Sequence, residues 1–339
     1  MASTVAITPF DTIQLGREAV KGTLVPATRR LVGAGVLKET QDRYYSGYPR
    51  GVNTTVGGDG VLTMKECEFE FETELCPQEL LWALLTGIKG NITPTGAGAD
   101  KTWTWAPQLT SEATLDTMTV EFALSDGTTN HIYAEAGYGM ITGYTIDWEY
   151  NQVAKMSMRG FARARQTGSP TGALTPYPNR QILVSPLAKL YIDSTYAGIG
   201  VTQVTSVVRS MKLDVQTFAA PDYTIDGRTD QDFVSHRLTP LQLTVSVTAE
   251  LNATIATEFG NWRAGTRRYI RIDSDGITLG SSNYRVRHDI SCRIIGTPQF
   301  SDDDGQRLVT LELEGVYDDT ATKIADIVVI CDLASVANL

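Results

Sequence analysis

The densest chemistry in this 339-residue chain is a run of glutamates at alternate positions: Glu66, Glu68, Glu70, Glu72 and Glu74. Paired carboxylates can divide acid and base roles, and clustered ones can hold a cation. In an extended chain, however, alternate residues stand about 6–7 Å apart on one face. That spacing makes a row of like charges rather than a pair aimed at one atom. Two other acidic groups sit in loop-like sequence. Asp302-Asp303-Asp304-Gly305 is similar to part of an EF-hand loop, but that loop needs an oxygen ligand where this chain has Phe300. A solvated turn accounts for it, because Asp and Gly favour turns for local reasons. The stretch from Asp226 to Asp232 fits a cation site, a glycosidase pair or a plain loop.

Nucleophilic and phosphate-binding signatures are missing: the sequence has no GxxxxGK[ST], GxSxG or HExxH. Its three histidines, His131, His236 and His288, lack a neighbouring partner and read as exposed or hydrogen-bonded bystanders. The four cysteines (Cys67, Cys76, Cys292, Cys331) form no CxxC pair and no Cys/His cluster, so neither a disulfide framework nor a zinc site is expected. Cys67 and Cys292 lie on alternating apolar faces, the ordinary setting of a buried free thiol. The expectation is therefore no catalytic residue, no metal and no cofactor.

Charge points the same way. The net charge is -10, from 29 basic and 39 acidic residues, and each half of the chain carries -5 when it is divided after Pro170. No basic stretch is available to neutralise phosphates, so tight nucleic-acid binding is not expected. An acidic surface keeps a protein soluble and repels polyanions. The first residues show no basic start followed by an apolar run, and no stretch approaches ~20 uninterrupted apolar residues. A soluble protein made in a cytoplasm is expected.

The glutamate row belongs to a strand. Cys67, Phe69, Phe71 and Leu75 alternate with the five glutamates, which a helix would scatter around its circumference. Pro77–Gly87 follows as a short helix: Pro77 suits the first turn, Glu79 the positive helix start and Gly87 the stop, with Leu80, Leu81, Leu84 and Leu85 as an apolar stripe. The same unit recurs 176 residues on. Leu241, Leu243, Val245, Val247, Ala249 and Leu251 alternate with Gln242, Thr244, Ser246, Thr248 and Glu250, and a helix candidate over 253–264 follows, with Asn252 as N-cap and Gly265 as its end. Strand pairs come after each unit: 144–150 with 154–158, and 290–294 with 309–313. The reading is mainly β: two tandem β-sandwich or barrel domains, each with one flanking helix, at 1–168 and 180–339, joined by a Gly- and Pro-containing linker at 169–179. Long polar segments at 38–60, 91–101 and 217–237 read as loops. The first carries Tyr44, Tyr45, Tyr48 and Arg50, residue types typical of contact surfaces.

Gly16-Arg-Glu-Ala-Val-Lys-Gly-Thr-Leu-Val-Pro-Ala-Thr-Arg-Arg-Leu, the helix phrase Pro77-Gln-Glu-Leu-Leu-Trp, and Thr102-Trp-Thr-Trp-Ala-Pro107 resemble the major tail tube proteins of bacteriophages with long non-contractile tails. The resemblance is strongest over residues 1 to about 165 and is carried by short phrases and pattern. It implies a structural virion protein of the phage tail, assembled in the host cytoplasm, whose domains form rings of six that stack into a tube through which DNA is ejected. With two such domains in one chain, three chains would complete a pseudo-hexameric ring. Partners would be other copies, other tail proteins, and DNA passing through without specific binding. On this reading Glu66, Glu68, Glu70, Glu72 and Glu74, or their counterparts Gln242, Thr244, Ser246, Thr248 and Glu250, line the lumen. Tyr44, Tyr45, Tyr48 and Arg50 contact the next ring. The rival reading is a carbohydrate-binding or carbohydrate-active β-sandwich, with tryptophans among Trp82, Trp103, Trp105, Trp148 and Trp262 stacking on sugars.

Overall fold

The computed structural model describes residues 11–45, 60–107, 111, 114–125, 130–163, 169–227 and 229–339. Its first nine strands are β1 (Thr12–Arg17), β2 (Arg29–Arg30), β3 (Ala34–Tyr44), β4 (Val61–Glu74), β5 (Lys101–Trp105), β6 (Met118–Ser125), β7 (Asn130–Glu149), β8 (Lys155–Ala162) and β9 (Ala188–Asp193). The remainder are β10 (Gln203–Val204), β11 (Val208–Gln216), β12 (Ala219–Asp222), β13 (Ser235–Leu238), β14 (Gln242–Glu250), β15 (Arg268–Leu279), β16 (Ser282–Asp303), β17 (Gln306–Gly315) and β18 (Ala325–Cys331). Helix α1 spans Pro77–Gly87 and α2 spans Ala253–Ala264. The protein is mainly β, and its strand pairs are antiparallel.

Eight strands form one continuous run in the order β3–β4–β8–β7–β11–β14–β17–β16. Strands β7 and β16, at 20 and 22 residues, are too long for this run alone. The first part of β7 leaves it to pair with β6, which continues to β1 and β2. The first part of β16 pairs likewise with β15, β9 and β10, and on its other side takes β18 and then β5. Strand β7 has a register shift at Ile141/Gly143, where it passes from β6 to β11, and β16 has one at Ile295/Gln299 within its pairing with β17; bulges bend and twist a strand in this way. The apolar core fills the space between the eight-stranded run and these second sheets. Among the described residues, strands β12 and β13 pair only with each other.

Strand β4 keeps the alternation read from sequence, with Cys67, Phe69 and Phe71 buried and Glu68, Glu70 and Glu72 exposed. Both helices lie where their end signals put them, but their surroundings differ. All eleven residues of α1 are buried, not only a stripe, because β7, β16 and β18 pack around it. Helix α2 packs on β16 and buries Ile255 and Glu258 alone. The Asn252 carboxamide accepts a bond from the Ile255 amide at 2.9 Å, and Gly265 ends the helix at φ 62, a conformation that costs a residue with a Cβ far more.

Three segments read as loops are more ordered than expected. Residues 38–44 of the 38–60 stretch are the second half of β3, since pairing with β4 outweighs their polar composition. The 217–237 stretch contains β12 and most of β13. The joining segment at 169–179 is pinned: Thr171 bonds Glu121, Tyr177 is buried and accepts the Trp82 indole N–H at 3.0 Å, and the Asn179 carbonyl accepts from Gln78 at 2.8 Å. All four cysteines are free and buried. Among the described residues, no helix is long and apolar enough to cross a membrane.

Candidate assembly surface

Residues directly opposite one another on paired strands share a face. Following partners from strand to strand gives one row, Glu74–Lys155–Asp147–Lys212–Ser246–Glu312, that crosses β4, β8, β7, β11, β14 and β17. The glutamate ladder and the Gln242–Glu250 ladder therefore occupy the same face of one sheet, though they lie 176 residues apart in sequence. Between them stand Lys155 and Arg159 from β8, Thr145, Asp147 and Glu149 from β7, and Lys212 and Asp214 from β11.

Carboxylates dominate that face; Lys38 of β3 stands opposite Glu68, while Lys212 and Arg159 are spent on the middle of the sheet. Lys212 meets Asp147 at 3.6 Å, and Arg159 meets Asp214 at 3.2 Å although it stands opposite Glu70. Gly143 allows the second contact. A Cβ there would come within 2.8 Å of the Arg159 guanidinium and 2.9 Å of the Val215 carbonyl. At the ladder's ends, Glu66 accepts from the Tyr223 hydroxyl, and Glu74 from Arg180 at 2.9 Å. Burial pushes the Glu74 carboxyl up, but the bond and charge of Arg180 outweigh it and hold the group low. Glu68, Glu70 and Glu72 project into solvent. Neighbouring carboxylates at this spacing repel by about 0.6 kcal/mol in water, a cost relieved at the ladder's ends by Tyr223 and Arg180. In the second ladder, Ser246 donates to Glu312, Thr248 bonds Thr310, and Glu250 is paired with Arg209.

The eight-stranded run ends in two edges, β3 and the last part of β16. Among the described strands, neither has a partner on its outer side over 34–44 and 295–303. Beside β3 the core opens in an apolar mouth lined by Ile13, Leu31, Leu37, Phe69, Phe71 and Phe122. Val36 on this edge is 48% exposed. On the other edge Phe300 is 56% exposed, with one ring face stacked on Phe259 of α2 at 5.3 Å. An exposed apolar strand edge is a template for pairing with another chain.

Tyr44 and Tyr45 are both exposed at the end of β3. Tyr48 and Arg50 lie outside the described residues. Sequence reasoning missed Val36, Leu37 and Phe300. Their signal was available in the apolar-on-edge pattern, but only pairing shows which strands are edges. Asp302, Asp303 and Asp304 surround the tight turn into β17, where Asp304 and Gly305 take φ 48 and 83. Four of the five indoles are closed to sugars. Trp82, Trp103, Trp105 and Trp148 are buried, and each donates its N–H inside the fold, to Tyr177, Leu333, Lys89 and Ser274; Trp262 is half-buried on α2. No protein-family model matches the chain, and no curated protein matches it.

Proposed function

We propose that this chain is a structural, non-catalytic virion protein that self-assembles into stacked rings forming a phage tail tube, a conduit for DNA. The observation that carries the reading is a twofold recurrence of pairing order. In the first half the pairings run β2–β1–β6–β7 and β3–β4–β8–β7, with α1 after β4. In the second they run β10–β9–β15–β16 and β11–β14–β17–β16, with α2 after β14. The chain is then two tandem tube domains, 1–168 and 180–339, held edge to edge by β7 and β11. Strands β5 and β18 fall outside the recurrence and pair across the halves, which fixes the two domains together.

Edges that recur demand the same closure. If β7 joins β11 inside the chain, β16 of one copy joins β3 of the next, and three copies give a closed sheet of six four-stranded units. Closure removes both edges of the eight-stranded run. The carboxylate-rich face would line the bore, where it repels phosphates and lets DNA slide without sticking. On this proposal Tyr44 and Tyr45, with Tyr48 and Arg50, would contact the next ring, and the tail's other proteins would be the remaining partners.

Electron microscopy of the purified protein at rising concentration, paired with solution mass, tests this. Rings of three chains and hollow tubes are expected, with Glu68, Glu70 and Glu72 turned to the bore. A protein that stays monomeric at every concentration, or a tube with those glutamates outside, overturns it.

A further inference from the structure

We infer the register of the joint between copies: Ala34, Gly35, Val36, Leu37 and Lys38 of one chain pair with Asp303, Asp302, Ser301, Phe300 and Gln299 of its neighbour, and Phe300 closes the apolar mouth beside β3. This rests on the ring reading above and adds the residues that make the contact.

The register follows from the joint already present inside the chain. Val36 pairs with Glu70 as Lys212 pairs with Ser246, so β3 and β11 correspond residue by residue at an offset of 176. On the other side, Asp147 pairs with Lys155, which pairs with Glu74; Ser301 pairs with Leu308, which pairs with Glu250. Ser301 thus stands where Asp147 stands, and Phe300 where Ile146 stands. Lys212 faces Asp147 and Leu213 faces Ile146 at the internal joint. The equivalent joint sets Val36 against Ser301 and Leu37 against Phe300.

Side-chain chemistry agrees with that placement. Ile146 and Leu213 are fully buried where they meet. Their counterparts are a Phe300 more than half exposed and a Leu37 at the rim of the mouth, so each edge supplies the apolar surface the other lacks. Residues 34–44 contain no proline, and the β16 edge keeps its one proline, Pro298, in the bulge where the ladder is already broken. Pairing over Gln299–Asp303 therefore keeps all five amide donors. The two patches differ, so the joint is head-to-tail, the kind that closes into rings rather than twofold dimers.

The test is one chain carrying Val36→Cys and Ser301→Cys, oxidised at assembling concentration and run on non-reducing gels. Directly opposed cysteines bond readily, and positions two residues out of register do not. The expected product is a covalent ladder that ends at three chains, with little cross-linking from a Lys38→Cys/Ser301→Cys control. Rings visible by microscopy without the first cross-link, or with the control as the stronger one, overturn the register and leave the ring reading standing. No rings and no cross-link sink both. Phe300→Ser provides an independent check, because more than half of this side chain is exposed in the single chain. Loss of its stack on Phe259 is expected to lower the melting temperature by only a few degrees, while assembly of the still-folded protein requires at least tenfold more protein; assembly equal to wild type overturns the role of Phe300.

Discussion

Replacing Arg180 with methionine is expected to lower the unfolding free energy by about 3–5 kcal/mol, the usual cost of removing one partner of a buried ion pair. Arg180 follows the joining segment and reaches the start of α1, where its guanidinium meets the Glu79 carboxylate at 3.0 and 3.2 Å, Glu74 at 2.9 Å and the Thr73 hydroxyl at 2.7 Å. The Glu79 side chain is fully buried and that of Arg180 is 11% exposed. Burial lifts Glu79 above the usual carboxylate range, with Arg180 pulling the other way. Without Arg180 the carboxylate is stranded, and a fall in melting temperature of about 4–7 °C is expected for a chain of this size. Glu79→Gln in the same background removes the stranded charge and should recover much of the loss. A pH series supplies the sign. A carboxyl with a folded pKa above its unfolded value is relieved by protonation, so the deficit of Arg180→Met against wild type should shrink as pH falls toward 5. A loss below about 1 kcal/mol, unaffected by Glu79→Gln, would show that the network contributes nothing beyond a surface pair.

Stability of the wild-type chain is expected to fall between pH 6.5 and 5, and His288 is the cause. Its ring is completely buried in the first part of β16 and hydrogen-bonded at 3.0 Å to the hydroxyl of Tyr144 on β7. Burial holds its pKa at about 3, far below the ordinary 6.5. The unfolded chain therefore takes up a proton below pH 6.5 that the folded chain refuses until about pH 3. The contribution of His288 is complete above pH 6.5 and declines through that window by about 1.4 kcal/mol per pH unit, or about 2 kcal/mol by pH 5. Carboxylates held low act further down; Asp318, kept ionised by the Tyr269 hydroxyl, is one. Denaturant midpoints of wild type and His288→Phe at pH 7 and pH 5 separate this residue from the rest. The variant should lose about one proton's worth of the slope, and equal slopes in the two proteins would refute the assignment.

Local pattern carried much of the fold into view. Strict alternation through 65–75 and 241–251 identifies two half-buried strands, and Asn252 and Gly265 bracket α2 because caps act through immediate neighbours. What lay hidden depends on distant partners. The leucines of α1 suggest a one-sided stripe, but its second cover comes partly from β18, about 240 residues later. Glu79 reads as a charge favouring a helix start, although its function here is inseparable from Arg180, an arginine at the end of an unremarkable loop. His288 looks like any strand histidine until Tyr144 is placed against it. Both polar ladders are visible in sequence; their sharing one face is a property of β7 pairing with β11. The edge residues Val36 and Phe300 gain their meaning only from which strands end the run.

The four buried thiols make the chain its own clock of opening. Thiolates, not thiols, react with alkylating reagents, and burial pushes Cys76 and Cys331 up to about 12. In the closed fold, then, nothing is available to label, and each adduct records an excursion. Cys67 and Cys76 lie in the first half of the chain, Cys292 and Cys331 in the second. Adducts that accumulate on all four at one rate would mean that the halves part and unravel as a single cooperative unit. Early labelling of one pair would expose the half that yields first, and with it the route by which the chain comes apart.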